Sequence, residues 1–180
     1  SGVYEYFDIE PSRTISAEMF WNTNTSSRYI PPGTVILYSL EVTAKDGLTL
    51  ETKAAEIVLH DVRFEWNEIE FETISVAYHG PVKSRAEEIL NAIVTTMSFM
   101  EPVLGESQED PIRVTMYNNV KEMLVALPPG SSTIRRELIT EGQAFNNVGT
   151  LLVLGGGRLS TGTASHEVTP ILVHRAGQSV

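Results

Sequence analysis

The feature that most constrains the fold of this 180-residue chain is an apolar stripe. Val82, Ala86, Ile89, Leu90, Ile93, Val94, Met97 and Met100 recur at three- and four-residue steps, which places them on one wide face of a helix. Gly80-Pro81 permits its start, and Pro102 and Gly105 end it. A helix with one apolar face needs a layer to bury that face against. Alternating residues on either side predict the layer: Ile74, Val76 and Tyr78 before the helix, Ile112, Val114 and Met116 after it. Asn118 or Asn119 is placed to cap a short helix through Leu127, which Pro128-Pro129-Gly130 terminates. Residues 142–145 and 149–154 read as two strands around an Asn146-Asn147 turn, followed by Gly155-Gly156-Gly157 and a last apolar stretch.

The first 72 residues follow a different rule. After a polar, turn-rich start and Pro31-Pro32-Gly33, the residues Ile36, Tyr38, Leu40 and Val42 alternate with Leu37, Ser39, Glu41 and Thr43. That is the period of a strand with one buried face. Asp46-Gly47 supplies a hairpin turn, Leu48 and Leu50 resume the alternation, and residues 55–59 give a third short strand. The expectation is an α+β chain: a β-sandwich-like module over residues 1–72, then an α/β domain over 73–180. His60-Asp61-Val62-Arg63-Phe64-Glu65-Trp66 bridges the two, with Phe64 and Trp66 expected to pack the junction and His60-Asp61 to make a structural contact there.

Composition removes several function classes. Lys and Arg total 13 against 23 Asp and Glu, a formal net charge of −10 with no basic stripe, so backbone-phosphate binding to nucleic acid is not expected. No run approaches the ~18 apolar residues of a membrane span. Cysteine is absent, which excludes disulfides and thiolate metal sites. The opening Ser1-Gly2-Val3, without an initiator Met, is expected to belong to a trimmed form whose signal or anchor lies outside these residues.

Chemistry concentrates in Ser165-His166-Glu167-Val168-Thr169-Pro170. A zinc-protease helix carries H-E-x-x-H because residues four apart share one helical face, so both imidazoles reach one ion while the Glu activates bound water. Here proline holds the second histidine position. It contributes no ligand, and in a helix interior it costs roughly 3 kcal/mol. The expectation is a break, with Thr169 capping a short helix from Pro170 and His166-Glu167 on the loop before it. His174 lies eight residues from His166, about 12 Å along a helix, too far to share an ion without a bend. Consecutive Ser165-His166-Glu167 cannot converge as a triad, and Gly157-Arg158-Leu159-Ser160-Thr161-Gly162 lacks the lysine of a phosphate loop.

The order and spacing of several pieces resemble a known family. Pro31-Pro32-Gly33-Thr34, Asp61-Val62-Arg63-Phe64-Glu65-Trp66, Val76-Ala77-Tyr78-His79-Gly80 and Ala126-Leu127-Pro128-Pro129-Gly130 are followed by Gly142-Gln143-Ala144-Phe145 and Ser165-His166-Glu167-Val168-Thr169. This series resembles the bacterial peptidase MA-like proteins, gluzincin zinc metallopeptidases with a β-domain ahead of the catalytic domain. The resemblance implies a partial gluzincin-like domain over 73–180, a vestigial metal ligand at His166 and a vestigial general base at Glu167. The family's second ligand falls on Pro170, and its third, a glutamate on a later helix, is not expected within the 13 residues after Glu167. Complete relatives hold zinc; this chain is expected to hold none and to be inactive. The resemblance further implies an edge strand at Thr150, Leu152 and Leu154 that accepts an extended peptide or protein. An extracytoplasmic or cell-envelope setting is expected, and the alternative function is an envelope-associated binding or adaptor module using the β-domain surface.

Overall fold

A computed structural model describes residues 4, 6, 8–25, 27–104, 110–129, 142–156 and 160–178. Among these the chain is α+β, with three α-helices and several sheets. The expected features at Gly105, Gly130 and Gly157-Arg158-Leu159 lie outside the described residues.

The main sheet has five strands: β5 (Asn67–Phe71), β6 (Ile74–Tyr78), β7 (Ile112–Tyr117), β8 (Gly142–Phe145) and β9 (Thr150–Leu154), in the spatial order β5-β6-β7-β9-β8. β6, β7 and β9 run parallel, and the outer strands β5 and β8 are antiparallel to their neighbours. The sheet begins at Asn67, ahead of the boundary expected at residue 72. β5 gives little sequence signal because an outer strand needs few apolar residues; in Asn67-Glu68-Ile69-Glu70-Phe71 only Ile69 packs against the core.

Strand alternation sends side chains to opposite faces, and each face is covered. On one face Val76, Val114, Met116, Leu151 and Val153 pack against α1 (Lys83–Leu104) and α3 (Ser160–Ala176). Ala86, Ile89, Ile93, Ala164, Val168, Ile171 and Leu172 supply the helical side of this core and are fully enclosed. On the other face Tyr117, Leu152 and Leu154 pack with Met123, Ala126 and Leu127 from and beyond α2 (Val120–Ala126), joined by Phe64 and Trp66. The expected helix stripe, its partner strands and the cap are all present. Asn119 is the capping residue, its side chain accepting from the Glu122 N–H at 3.1 Å.

Two expectations are corrected. The first concerns the β-sandwich. β1 (Val35–Tyr38) pairs with β4 (Ala55–Val58), and β2 (Glu41–Thr43) with β3 (Thr49–Glu51). These are the two halves of one long antiparallel ribbon, turned at residues 44–48, and among the described residues no second sheet lies over it. The alternation of Ile36 to Val42 therefore marks a strand, but Tyr38, Leu40 and Val42 are exposed. The second concerns Pro170. α3 runs unbroken from Ser160 to Ala176, so His166 and Glu167 lie in the helix and not on a loop. Burial of Ala164 and Val168 before the proline, and Ile171 and Leu172 after it, outweighs the local penalty.

The ribbon joins the sheet through Pro31 to Thr34, all buried. Gly33 sits at φ +94°, and a Cβ there would lie 3.0 Å from the Thr150 methyl and 3.2 Å from Thr115 Oγ1. Only glycine meets both the left-handed backbone and the close approach.

Candidate functional site

α3 presents His166, Pro170 and Val173 to solvent and turns Ala164, Val168, Ile171 and Leu172 inward. The His166 side chain is 82% exposed, and the Glu167 side chain is 16% exposed. His166 Nδ1 lies 3.4 Å from Glu167 Oε1, so the two groups predicted as vestigial ligand and base are brought together. Position 170, one turn on, lies on the exposed stripe with His166. A histidine there would share an ion with His166; the pyrrolidine ring cannot. His174 does not join them, and its Nε2 lies 2.9 Å from Gln178 Nε2. Among the described residues no three His, Asp or Glu side chains are grouped as metal ligands. The donor set around His166 does not fit a catalytic zinc, which needs three protein ligands.

Glu167 is mostly sheltered because β8 crosses close to it. A Cβ on Gly142 would lie 2.8 Å from Glu167 Cγ and 2.8 Å from Thr163 Cγ2, so glycine at the start of β8 allows strand and helix to meet. This corrects the strand assignment. β9 is not an edge: it lies between β7 and β8, and Thr150, Leu152 and Leu154 are buried. They cannot receive a peptide. Among the described residues the outer strand beside Glu167 is β8, with Gln143, Ala144 and Phe145 partly exposed. Gln143 Nε2 donates to the Ala144 carbonyl at 3.1 Å. Sequence reading found β8 as a strand but did not place it outside β9, because edge position depends on strand order, and the local hint was polar Gln143 within a short strand.

A second polar cluster lies on the opposite face of the sheet. Asp61 accepts from the Arg63 guanidinium through both carboxylate oxygens and from the Tyr117 hydroxyl at 3.0 Å. Trp66 Nε1 donates to the Asp61 carbonyl at 2.8 Å, and Arg63 also donates to the Glu122 carbonyl at 2.8 Å. Burial pushes the Asp61 carboxyl upward, but the hydrogen bonds from Arg63 and Tyr117 outweigh it and hold the group below its ordinary range. Burial first, then the neighbouring Asp61 charge, pushes the Tyr117 phenol well above its ordinary value. Beside this network His79 Nε2 lies 3.0 Å from Glu122 Oε2, and its ring stacks on Phe64 with centroids 4.0 Å apart. His60 takes no part in the carboxylate network; its Nδ1 has no partner, and its ring lies 6.5 Å from that of Trp66. The Arg63, Trp66 and Tyr117 bonds to Asp61 and the Arg63 bond to the Glu122 carbonyl fasten residues 61–66 to the sheet. Phe64 and Trp66 pack the junction as expected.

No family model matches this chain. No curated protein matches it either.

Proposed function

We propose that this is a metallopeptidase-like domain that binds an extended peptide beside α3 without hydrolysing it. The observation that carries the reading is that His166 and Pro170 share the exposed stripe of an unbroken helix, with the sheltered Glu167 carboxylate beside His166, so in the proposed reading proline stands where a second imidazole would be needed. The peptidase MA-like resemblance supplies the activity class, and the loss of that seat removes zinc-dependent hydrolysis from it. Strand β8, outermost among the described residues, supports the binding half of the reading, because an outer strand next to Glu167 can accept another strand through main-chain hydrogen bonds. An extracytoplasmic or envelope setting goes with this proposal.

The test is zinc loading followed by desalting and elemental analysis, with an unfolded protein substrate assayed in parallel. The expected result is substoichiometric zinc, unchanged by His166→Ala, and no cleavage. One tightly bound equivalent that disappears in His166→Ala would overturn the proposal.

A further inference from the structure

The ribbon formed by β1 to β4 carries an apolar face that nothing covers among the described residues. Register fixes which residues share a face. Ile36 pairs with Ile57, Tyr38 with Ala55, and Val42 with Leu50. Between Tyr38 and Glu41 the outgoing strand has two residues, whereas the returning strand has three between Glu51 and Ala55. This bulge keeps the two halves in phase. Tyr38, Leu40, Val42, Leu48, Leu50 and Ile57 consequently line one side, each between 44% and 71% exposed. The opposite side is mostly polar: Ser39 Oγ bonds Glu51 Oε1 at 3.3 Å, the Thr43 and Thr49 hydroxyls lie 3.4 Å apart, and Glu41 pairs with Glu51, while exposed Leu37 stands there beside Glu56.

We infer that the apolar side of this ribbon is a self-association surface whose occupant is the same face of a second copy. A flat apolar ribbon is its own complement, and a two-fold axis between two such faces makes one closed, isologous contact. The chain carries a net charge of −10, yet Glu41, Glu51 and Glu56 of the ribbon stand on its polar side and do not meet across the contact. Covering the six exposed side chains removes roughly 600 Å² per protomer and roughly 1,200 Å² for the pair, the lower bound for a stable interface. Contiguous apolar patches of this size are uncommon on free surfaces. The inference stands independently of the reading of α3.

Sedimentation velocity over a wide concentration range tests it, comparing the unchanged chain with Leu50→Glu and Thr49→Glu. Both substituted positions are exposed, so far-UV circular dichroism is expected to match in all three. The expected result is a concentration-dependent dimer for the unchanged chain and for Thr49→Glu. Leu50→Glu associates at least about a hundredfold more weakly, because it places an unpaired carboxylate in the contact. A monomer at every concentration overturns the inference, whether residues 13–20 of the same chain or an unrelated protein covers the face. A dimer that Leu50→Glu leaves intact overturns it equally, by placing the contact elsewhere.

Discussion

Replacing Pro170 with alanine is a direct test of the unbroken α3. In the helix, residue 170 lacks the N–H that would donate to the His166 carbonyl, and its ring presses on that carbonyl. Alanine restores the donor and removes the clash, a gain of about 3 kcal/mol on the propensity scale. Alanine also frees the unfolded chain, which returns roughly 0.4–1 kcal/mol. Position 170 is exposed, so no cavity forms and no core contact is lost. The net expectation is a stabilisation of about 2 kcal/mol, which raises the melting temperature by roughly 4–8 °C for a chain of this size. Urea unfolding followed by circular dichroism would show a higher midpoint with unchanged slope. Val173→Ala, on the same stripe but without a proline, serves as the control and should gain only about 0.5 kcal/mol. An unchanged or lower midpoint for Pro170→Ala would refute the reasoning. It would mean that the chain at 170 is not helical, and that His166 and Glu167 sit on a loop after all.

Three further outcomes follow from named contacts. Pro170→His sets two imidazoles four residues apart on one exposed stripe, and calorimetry should register zinc binding that His166→Ala abolishes in that background. Tyr117→Phe leaves Asp61 with Arg63 but removes a part-buried hydroxyl bond, so denaturant unfolding should report a loss of about 1–2 kcal/mol. The Asp61 carboxyl is held below its unfolded value, so its stabilisation is complete above about pH 5 and fades as pH falls below about 4. The stability gap between the unchanged chain and Asp61→Asn should narrow over that same interval, and a gap that instead widens on acidification would show the sign to be wrong.

How far the fold could be read from the sequence depended on whether a residue's role was local. The stripe from Val82 to Met100 declares α1 because burial on one side repeats at the helical period. Asn119 declares the start of α2 because its own side chain makes the cap. The β8–β9 pair was legible from two short runs around Asn146-Asn147, which form a 3₁₀ turn. What stayed hidden was set by position in three dimensions. Thr150, Leu152 and Leu154 look like any apolar strand, and only the β7 and β8 neighbours on either side decide that no peptide can reach them. The alternation of Tyr38, Leu40 and Val42 correctly marks a strand, but alternation shows which residues share a face and not what covers it.

Pro170 joins the structural and the functional questions, because both turn on which way its position faces. A proline costs α3 one hydrogen bond and some crowding wherever it falls in the helix, but at Val168, Ile171 or Leu172 it would also displace core packing against the sheet. On the exposed stripe the second cost vanishes, and the buried residues on either side hold the helix together. A metal ligand one turn after His166 has the same requirement, since it must face solvent to meet an ion and a substrate. The outward direction that suits this position to a second imidazole is therefore also what lets the fold accept proline there. Such a helix keeps its fold whether or not residue 170 is a ligand, so an intact α3 is poor evidence for catalysis, and the identity of residue 170 is the better guide.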